Sequence, residues 1–100
     1  MLTFEKVLQV FSEYLSADPE VDTAKTKYGY VILFWDNLRN VWYDSKTCAT
    51  PESLFNGLLS AYHFYRVFAY TQGDRELPSV VRTQIEEEMD LFRTKLENRL

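Results

Sequence analysis

The chain has 100 residues, of which 46% are hydrophobic and 26% are charged. This composition is typical of one globular domain with a single core, since disordered chains carry fewer apolar residues. The net charge of −4 excludes the positive excess that sequence-independent binding of nucleic acid or anionic membranes requires.

The N-terminal segment predicts an amphipathic helix. Thr3 offers an N-cap hydroxyl, and a helix from there to about Ala17 brings the apolar side chains onto one face. Asp18-Pro19 ends this helix, because the residue before a proline is disfavoured in the α region. Residues 18–27 are mostly polar and are interpreted as a connection without regular structure.

Segment 28–43 contains two aromatic-rich apolar runs on either side of a short polar turn. It predicts an antiparallel β-hairpin with arms near 28–35 and 40–44, joined by the turn from Asp36 to Arg39. The first arm is apolar at nearly every position, which a strand with one face in water does not require. Both faces of the hairpin are therefore expected to be covered, by helices or by another chain.

Two more helices are expected after the hairpin. Thr50-Pro51 supplies an N-cap and a proline at the first helical position, so a second helix is predicted to about Thr71, stopping at Gln72-Gly73. Its wide apolar face predicts a central helix that touches the hairpin and a neighbouring helix. Pro78-Ser79 opens a third helix to the C-terminus. We predict a single α+β domain over residues 1–100, in the order α-β-β-α-α, with the hairpin packed against three helices.

Three short helices cover one face of such a hairpin more easily than both. An uncovered face would exceed the apolar patch that monomers usually expose. We therefore expect a non-catalytic protein-interaction module that forms a homodimer or binds a protein partner. The predicted interface consists of Tyr30, Val31, Leu33, Trp35, Trp42 and Tyr43. In the competing interpretation, the terminal helices wrap opposite faces of the hairpin within one chain.

Two alternative functions follow from the same aromatic residues. The first is a small-ligand-binding domain or minor enzyme with an aromatic pocket between the second helix and the hairpin. The residues predicted to line that pocket are Tyr30, Tyr43, Tyr62 and Tyr65. The second is a regulator that contacts nucleic acid by base stacking, which the net charge disfavours because stacking platforms come with a positive groove.

The sequence predicts no catalytic residue, no cofactor and no metal. A lone Cys48 and a lone His63 cannot build a structural zinc site, and their spacing makes a Cys–His pair geometrically unfavourable. Cys48 precedes the N-cap of the second helix, where the helix field can lower a thiol pKa, although an ordinary loop cysteine is the simpler interpretation. Residues 86–88 with Asp90 are interpreted as a solvated helix face, because consecutive helical carboxylates point in different directions.

The same features predict a cytoplasmic location. A single cysteine forms no intrachain disulfide, which favours a reducing compartment. The N-terminus lacks the basic and apolar regions of a signal peptide. The apolar runs are also shorter than the ~18 residues of a membrane span, so a soluble protein is expected.

Overall fold

The computed structural model describes residues 1–72 and 76–99 of the chain. The bounds of its helices and strands are α1 Phe4–Val10, α2 Ser12–Ala17, β1 Val21–Thr26, β2 Gly29–Asp36, β3 Val41–Cys48, α3 Pro51–Thr71 and α4 Ser79–Asn98. The predicted α+β class is confirmed. The predicted order α-β-β-α-α omitted one strand and treated the N-terminal helices as one.

The N-terminal helix is divided at Phe11. The Thr3 hydroxyl accepts a hydrogen bond from the Lys6 N–H at 3.2 Å and begins α1, as predicted. Phe11 has φ −97° and ψ 9°, which separates α1 from α2. Hydrogen bonds continue across this break, because the Phe11 N–H donates to the Val7 carbonyl and the Leu15 N–H donates to the Phe11 carbonyl. The predicted helix is therefore present in two consecutive parts.

The sheet has three antiparallel strands in the order β1-β2-β3, and not only the two arms of a hairpin. The prediction of an irregular connection over residues 18–27 was wrong, because β1 pairs with β2 from Val21 opposite Phe34 to Thr26 opposite Gly29. β1 is an edge strand, so several of its polar side chains stay in water. That composition weakens the alternation of apolar and polar residues by which a strand is recognised.

The conformations of the two turns of the sheet are determined by residues within the turns or next to them. Gly29 has φ 122°, and a Cβ at this position would lie 2.4 Å from the Cys48 carbonyl oxygen. In the second turn, the Asp36 carboxylate accepts hydrogen bonds from the N–H groups of Leu38 at 2.9 Å and Arg39 at 3.2 Å. This turn was predicted from the aspartate. β3 extends further than predicted, since it continues to Cys48 and not only to residue 44.

Alternation along β2 gives the sheet two different faces. Tyr30, the fully buried Ile32 and Phe34 point toward the helices and belong to the core or pack against it. Val31, Leu33 and Trp35 point the other way, lie outside the core and are half-buried among their strand neighbours. Together with their partners in the strand register and Thr26, which follows on the same face of β1, they form the outer face. It consists of Asp22, Ala24, Thr26, Val31, Leu33, Trp35, Trp42, Ser45 and Thr47.

Helix α3 is the central element, as its wide apolar face predicted. It contacts α1, α4, β2 and β3. Thr50 and Ser53 form a reciprocal capping box at its start, with Pro51 at the first position. Gly73, where this helix was predicted to stop, and Leu100, at the end of the predicted third helix, lie outside the described residues.

Gly57 is the point at which α3 lies directly on the sheet. A Cβ at this position would be 2.7 Å from the Cδ1 atom of Ile32 and 3.6 Å from the Sγ atom of Cys48. Both neighbours are fully buried. A side chain at Gly57 would therefore have to displace part of the core or push the helix away from the sheet.

We predict that Gly57→Leu lowers the free energy of unfolding by about 1–3 kcal/mol, the cost of overpacking a closed core. This loss is expected although leucine favours a helix more than glycine does. Asn56→Leu, at the exposed neighbouring position, is the matched control and should be neutral or stabilising. Urea unfolding followed by circular dichroism measures both. Equal stability of the two variants would show that the close contact at Gly57 is unimportant.

Candidate interaction surfaces

The structure divides the predicted interface between the two sides of the sheet. The residues on the outer face are Val31, Leu33, Trp35 and Trp42. Tyr30 lies on the helix side, where its ring packs against Phe4 with centroids 4.9 Å apart. Tyr43 also lies on the helix side, with its ring 6.4 Å from that of Phe34.

A β-bulge in β3 accounts for the position of Tyr43. Phe34 pairs with Asp44 while the next residue, Trp35, pairs with Trp42, so Tyr43 is the extra residue of β3. A regular strand would place neighbouring side chains on opposite faces. Here Tyr43 and Asp44 line the same space on the helix side.

The outer face is apolar at its centre and nearly uncharged. The rings of Trp35 and Trp42 meet edge to face, with centroids 4.9 Å apart and planes at 70°. The Trp42 side of this pair is open to solvent, because that residue is 51% exposed. Asp22, on the edge strand β1, is the one charged residue of the face.

On the helix side, a groove of about 600 Å³ opens between the sheet and the C-terminal half of α3. Its helix wall is the stripe from Gly57 to Ala69, and its sheet wall includes Phe34, Tyr43 and Asp44. We call this space the α3 groove. It begins beside the tight contact at Gly57 and extends toward the end of the sheet that carries the bulge.

Two phenylalanines of the α3 groove are unusually open to water. Phe64 is 68% exposed and Phe68 is 52% exposed. Their rings stack on each other with centroids 6.0 Å apart and planes at 16°. The helical spacing places Phe68 on the wide apolar face of α3 and Phe64 at its flank. Periodicity identifies such a helix face but does not show how closely the neighbouring sheet approaches it.

The mouth of the α3 groove is acidic. The buried Asp18 accepts hydrogen bonds from the Tyr14 hydroxyl at 2.8 Å and from the Glu20 N–H at 3.0 Å. The Asp36 carboxylate accepts a hydrogen bond from the Leu38 N–H within the turn between β2 and β3. The side chains of Glu20 and Asp44 are exposed. Of the described residues that line the groove, Lys46 alone carries a positive charge.

The predicted tyrosine pocket is not assembled as one site. Tyr43 and Tyr65 line the α3 groove. Tyr62 and Tyr65 line a second cavity, of about 320 Å³, between α2, α3 and α4. Tyr30 lines neither of them. The space between the second helix and the sheet therefore exists, but it contains two of the four tyrosines.

A polar network beside the second cavity connects α3 with α4. Arg66 donates two hydrogen bonds to the Glu88 carboxylate, at 2.7 and 3.1 Å, and the Tyr62 hydroxyl donates a third. The Arg66 hydrogen bonds lower the pKa of Glu88. Burial, followed by the hydrogen bond to Glu88, raises the pKa of Tyr62 to about 12. Glu88 is thus charged and Tyr62 neutral near neutral pH, which suits a structural connection between helices.

We predict that Glu88→Gln lowers the free energy of unfolding at pH 7 by about 1 kcal/mol, because it weakens a charged hydrogen-bonded pair. The folded pKa of Glu88 is lowered, so its contribution is present above the unfolded pKa of about 4.3 and lost as pH falls through the folded value. Urea unfolding between pH 7 and pH 3 should therefore show the difference from wild type shrinking toward acid.

The control for this prediction is Glu87→Gln, at an exposed position of the same helix. Its unfolding free energy should follow that of wild type across the whole range. A Glu88→Gln defect of the same size at both ends of the range would contradict a charge-dependent contact.

Cys48 is the last residue of β3 and not a loop residue. It is fully buried against α3, and its sulfur lies 3.7 Å from the Lys46 carbonyl oxygen. Burial raises the pKa of the Cys48 thiol, and this outweighs the lowering effect of the nearby Lys46 ammonium. The position before α3 therefore does not produce a reactive thiolate.

We predict that Cys48 is labelled by a thiol-specific disulfide reagent only when the domain opens. Labelling of the native chain should be at least ~100-fold slower than labelling in urea, since the buried sulfur reacts through local or global unfolding. Gly57→Leu should accelerate the native reaction, because it loosens the packing around the sulfur. Equal rates with and without urea would contradict the buried position.

No protein-family model, curated protein sequence or solved structure matches this chain. Within residues 1–72 and 76–99, no helix combines the length and hydropathy needed to cross a bilayer. The same residues contain no group of three or more His, Cys, Asp or Glu side chains that could hold a metal ion. What this chain binds has to follow from the chemistry of its own surfaces.

Proposed function

We propose that the chain is a non-catalytic protein-interaction module that forms a homodimer through its outer face. The one observation that carries this proposal is the unequal cover of the sheet. Ile32 and Cys48 are buried under α3 on one side, whereas Val31, Leu33 and Trp35 lie outside the core on the other. A second subunit would remove these apolar side chains from water.

A second copy suits the outer face because the patch is neutral. In a two-fold dimer the patch meets a copy of itself, so a patch whose charges all share one sign would repel its copy. Of the nine residues of the outer face, Asp22 alone is charged, and it lies on the edge strand. Trp35 and Trp42 supply the large aromatic contacts that are enriched at protein interfaces.

The size of the outer face favours a weak and reversible dimer. Three strands about 4.8 Å apart and about six residues long present roughly 280 Å² per subunit in projection. Two such faces bury on the order of 600–1,000 Å² in total, below the size of most stable complexes. We therefore expect a dissociation constant in the micromolar range or weaker.

We predict that sedimentation velocity detects a concentration-dependent species of twice the 11.9 kDa chain mass. Leu33→Glu should abolish it, because the substitution places like charges opposite each other across the two-fold axis. Trp42→Ser, at a half-exposed position, should weaken it at least about tenfold with little effect on folding. Gln84→Glu, exposed on α4, adds the same charge elsewhere and should leave the dimer intact.

Two results would contradict the homodimer. One is a monomer at every concentration up to about 1 mM, where even weak association is visible. The other is a dimer that survives both outer-face variants while circular dichroism shows each of them folded.

A second candidate function is binding in the α3 groove, the position that sequence analysis assigned to a small-ligand site. Its volume of about 600 Å³ lies within the range of ligand pockets. Nucleic acid is the least favoured partner there, because the exposed Glu20 and Asp44 at its mouth repel phosphate.

A further inference from the structure

We infer that the α3 groove binds a basic amphipathic helix of a protein partner. This inference goes beyond the homodimer and concerns the opposite side of the sheet. It is carried by three features of the groove: the helical spacing of its apolar wall, the exposure of that wall, and the sign of the charge at its mouth.

The apolar wall has the pattern of a helix face that packs against another helix. Its residues recur at intervals of three and four, and they are Gly57, Ser60, Ala61, Phe64, Tyr65, Phe68 and Ala69. Small side chains occupy the Gly57 end and aromatic rings follow them, so a second helix would have room beside the small residues and an apolar ring surface to pack on. The stripe extends over about 18 Å at the ordinary rise of a helix, enough for about three turns of a partner.

Among the described residues, the stripe is covered best at its Gly57 end, and the Tyr65 ring also contacts that of Tyr14. Gly57 lies against Ile32 in the core. Toward the other end, Phe64 and Phe68 keep 68% and 52% of their surface exposed. The cost of leaving two stacked rings in water is removed when an apolar helix face covers them.

The charge at the mouth selects a cationic partner. Four carboxylates line the groove, at Asp18, Glu20, Asp36 and Asp44, against the single ammonium of Lys46. Arg39 lies 3.8 Å from the Asp36 carboxylate, so the local sum with Arg39 included is −2, from four negative charges and two positive charges. Lys or Arg residues that flank the apolar face of a bound helix would lie near Glu20 and Asp44, which are exposed and form no ion pair with any described residue.

A second copy of this chain fits the groove less well than a basic helix does. The chain carries a net charge of −4, so it meets the acidic mouth with the same sign. Its C-terminal helix α4 has basic residues, but Glu86 and Glu87 lie on its exposed surface. The same argument disfavours anionic membranes and nucleic acid as occupants.

A designed peptide tests this inference directly. The probe is a fluorescein-labelled helix of about 14 residues, with Leu at intervals of three and four on one face and Lys elsewhere. One control peptide replaces Lys by Glu, and another has the same composition in a scrambled order without an apolar face. Fluorescence anisotropy with the full chain should show saturable binding of the Leu/Lys helix and at least tenfold weaker binding of both controls. Raising salt from about 50 to about 200 mM should weaken the interaction several-fold.

Matched variants locate the binding surface. Glu20→Lys combined with Asp44→Lys reverses the sign of these two charges at the mouth of the groove. The double variant should bind the Leu/Lys helix at least about tenfold more weakly. The control carries Glu86→Lys and Glu87→Lys on α4, which gives the same net charge and should stay within about twofold of wild type. Phe68→Ser, which leaves the charge unchanged, should also weaken binding.

Several outcomes would overturn the inference. One is no binding of the Leu/Lys helix up to about 1 mM. A second is an equal loss of affinity for this helix in the Glu20/Asp44 and the Glu86/Glu87 charge-reversed chains. A third is binding of the Leu/Glu helix as tight as that of the Leu/Lys helix. Another is a dimer, seen by sedimentation velocity, that dissociates with Phe68→Ser and not with Leu33→Glu. That result would place a second copy in the groove.

The homodimer and the peptide site can be refuted independently of each other. The monomeric Leu33→Glu chain should still bind the Leu/Lys helix, because Leu33 lies on the outer face. Loss of peptide binding in that folded variant would overturn an independent groove. A dimer that dissociates with Leu33→Glu in a chain that binds no peptide would retain the homodimer and remove the groove site.

Discussion

The contact between Gly57 and the sheet is the constraint on which the rest of the structure depends. Because Gly57 has no side chain, Ile32 and Cys48 pack directly against the backbone of α3. This fixes the N-terminal half of the helix on one face of the sheet. α3 has 21 residues and is about 32 Å long. Its C-terminal half lies beyond this contact, and the α3 groove separates that half from the sheet.

The same constraint explains why the two surfaces of the sheet differ. α3 connects the sheet to α1 and α4, so the helices gather on the side of Ile32. Arg66 and Glu88 then hold α4 against α3 through a pair of charged hydrogen bonds. The opposite side keeps a neutral apolar centre, and the helix side keeps an acidic opening. A domain of 100 residues therefore presents two surfaces of different chemistry.

Local signals made part of this structure predictable. Thr50-Pro51 and Asp36 act on neighbouring backbone groups, so the start of α3 and the turn between β2 and β3 could be predicted from a few residues. The alternation of side chains along a strand also places Ile32 and Leu33 on opposite faces of β2. These features depend on interactions within a few positions of the chain.

Other features depend on tertiary contacts that periodicity does not contain. β1 was missed because an edge strand tolerates polar side chains, and its pairing with β2 decides its conformation. The exposure of Phe64 and Phe68 is not contained in their helical spacing either, since it depends on how closely the sheet approaches the C-terminal half of α3. The position of Tyr43 depends on the bulge, whereas the alternation along β2 already places Tyr30 on the helix side, away from Val31.

The positions of the two indole rings make them an intrinsic fluorescent probe of the outer face. Trp35 and Trp42 are the chain's two tryptophans, and both lie on the outer face. The aromatic residues of the α3 groove are phenylalanines and tyrosines instead. Fluorescence excited near the red edge of protein absorbance therefore originates on one side of the sheet alone. Its emission maximum reports the solvent exposure of that side without any added dye.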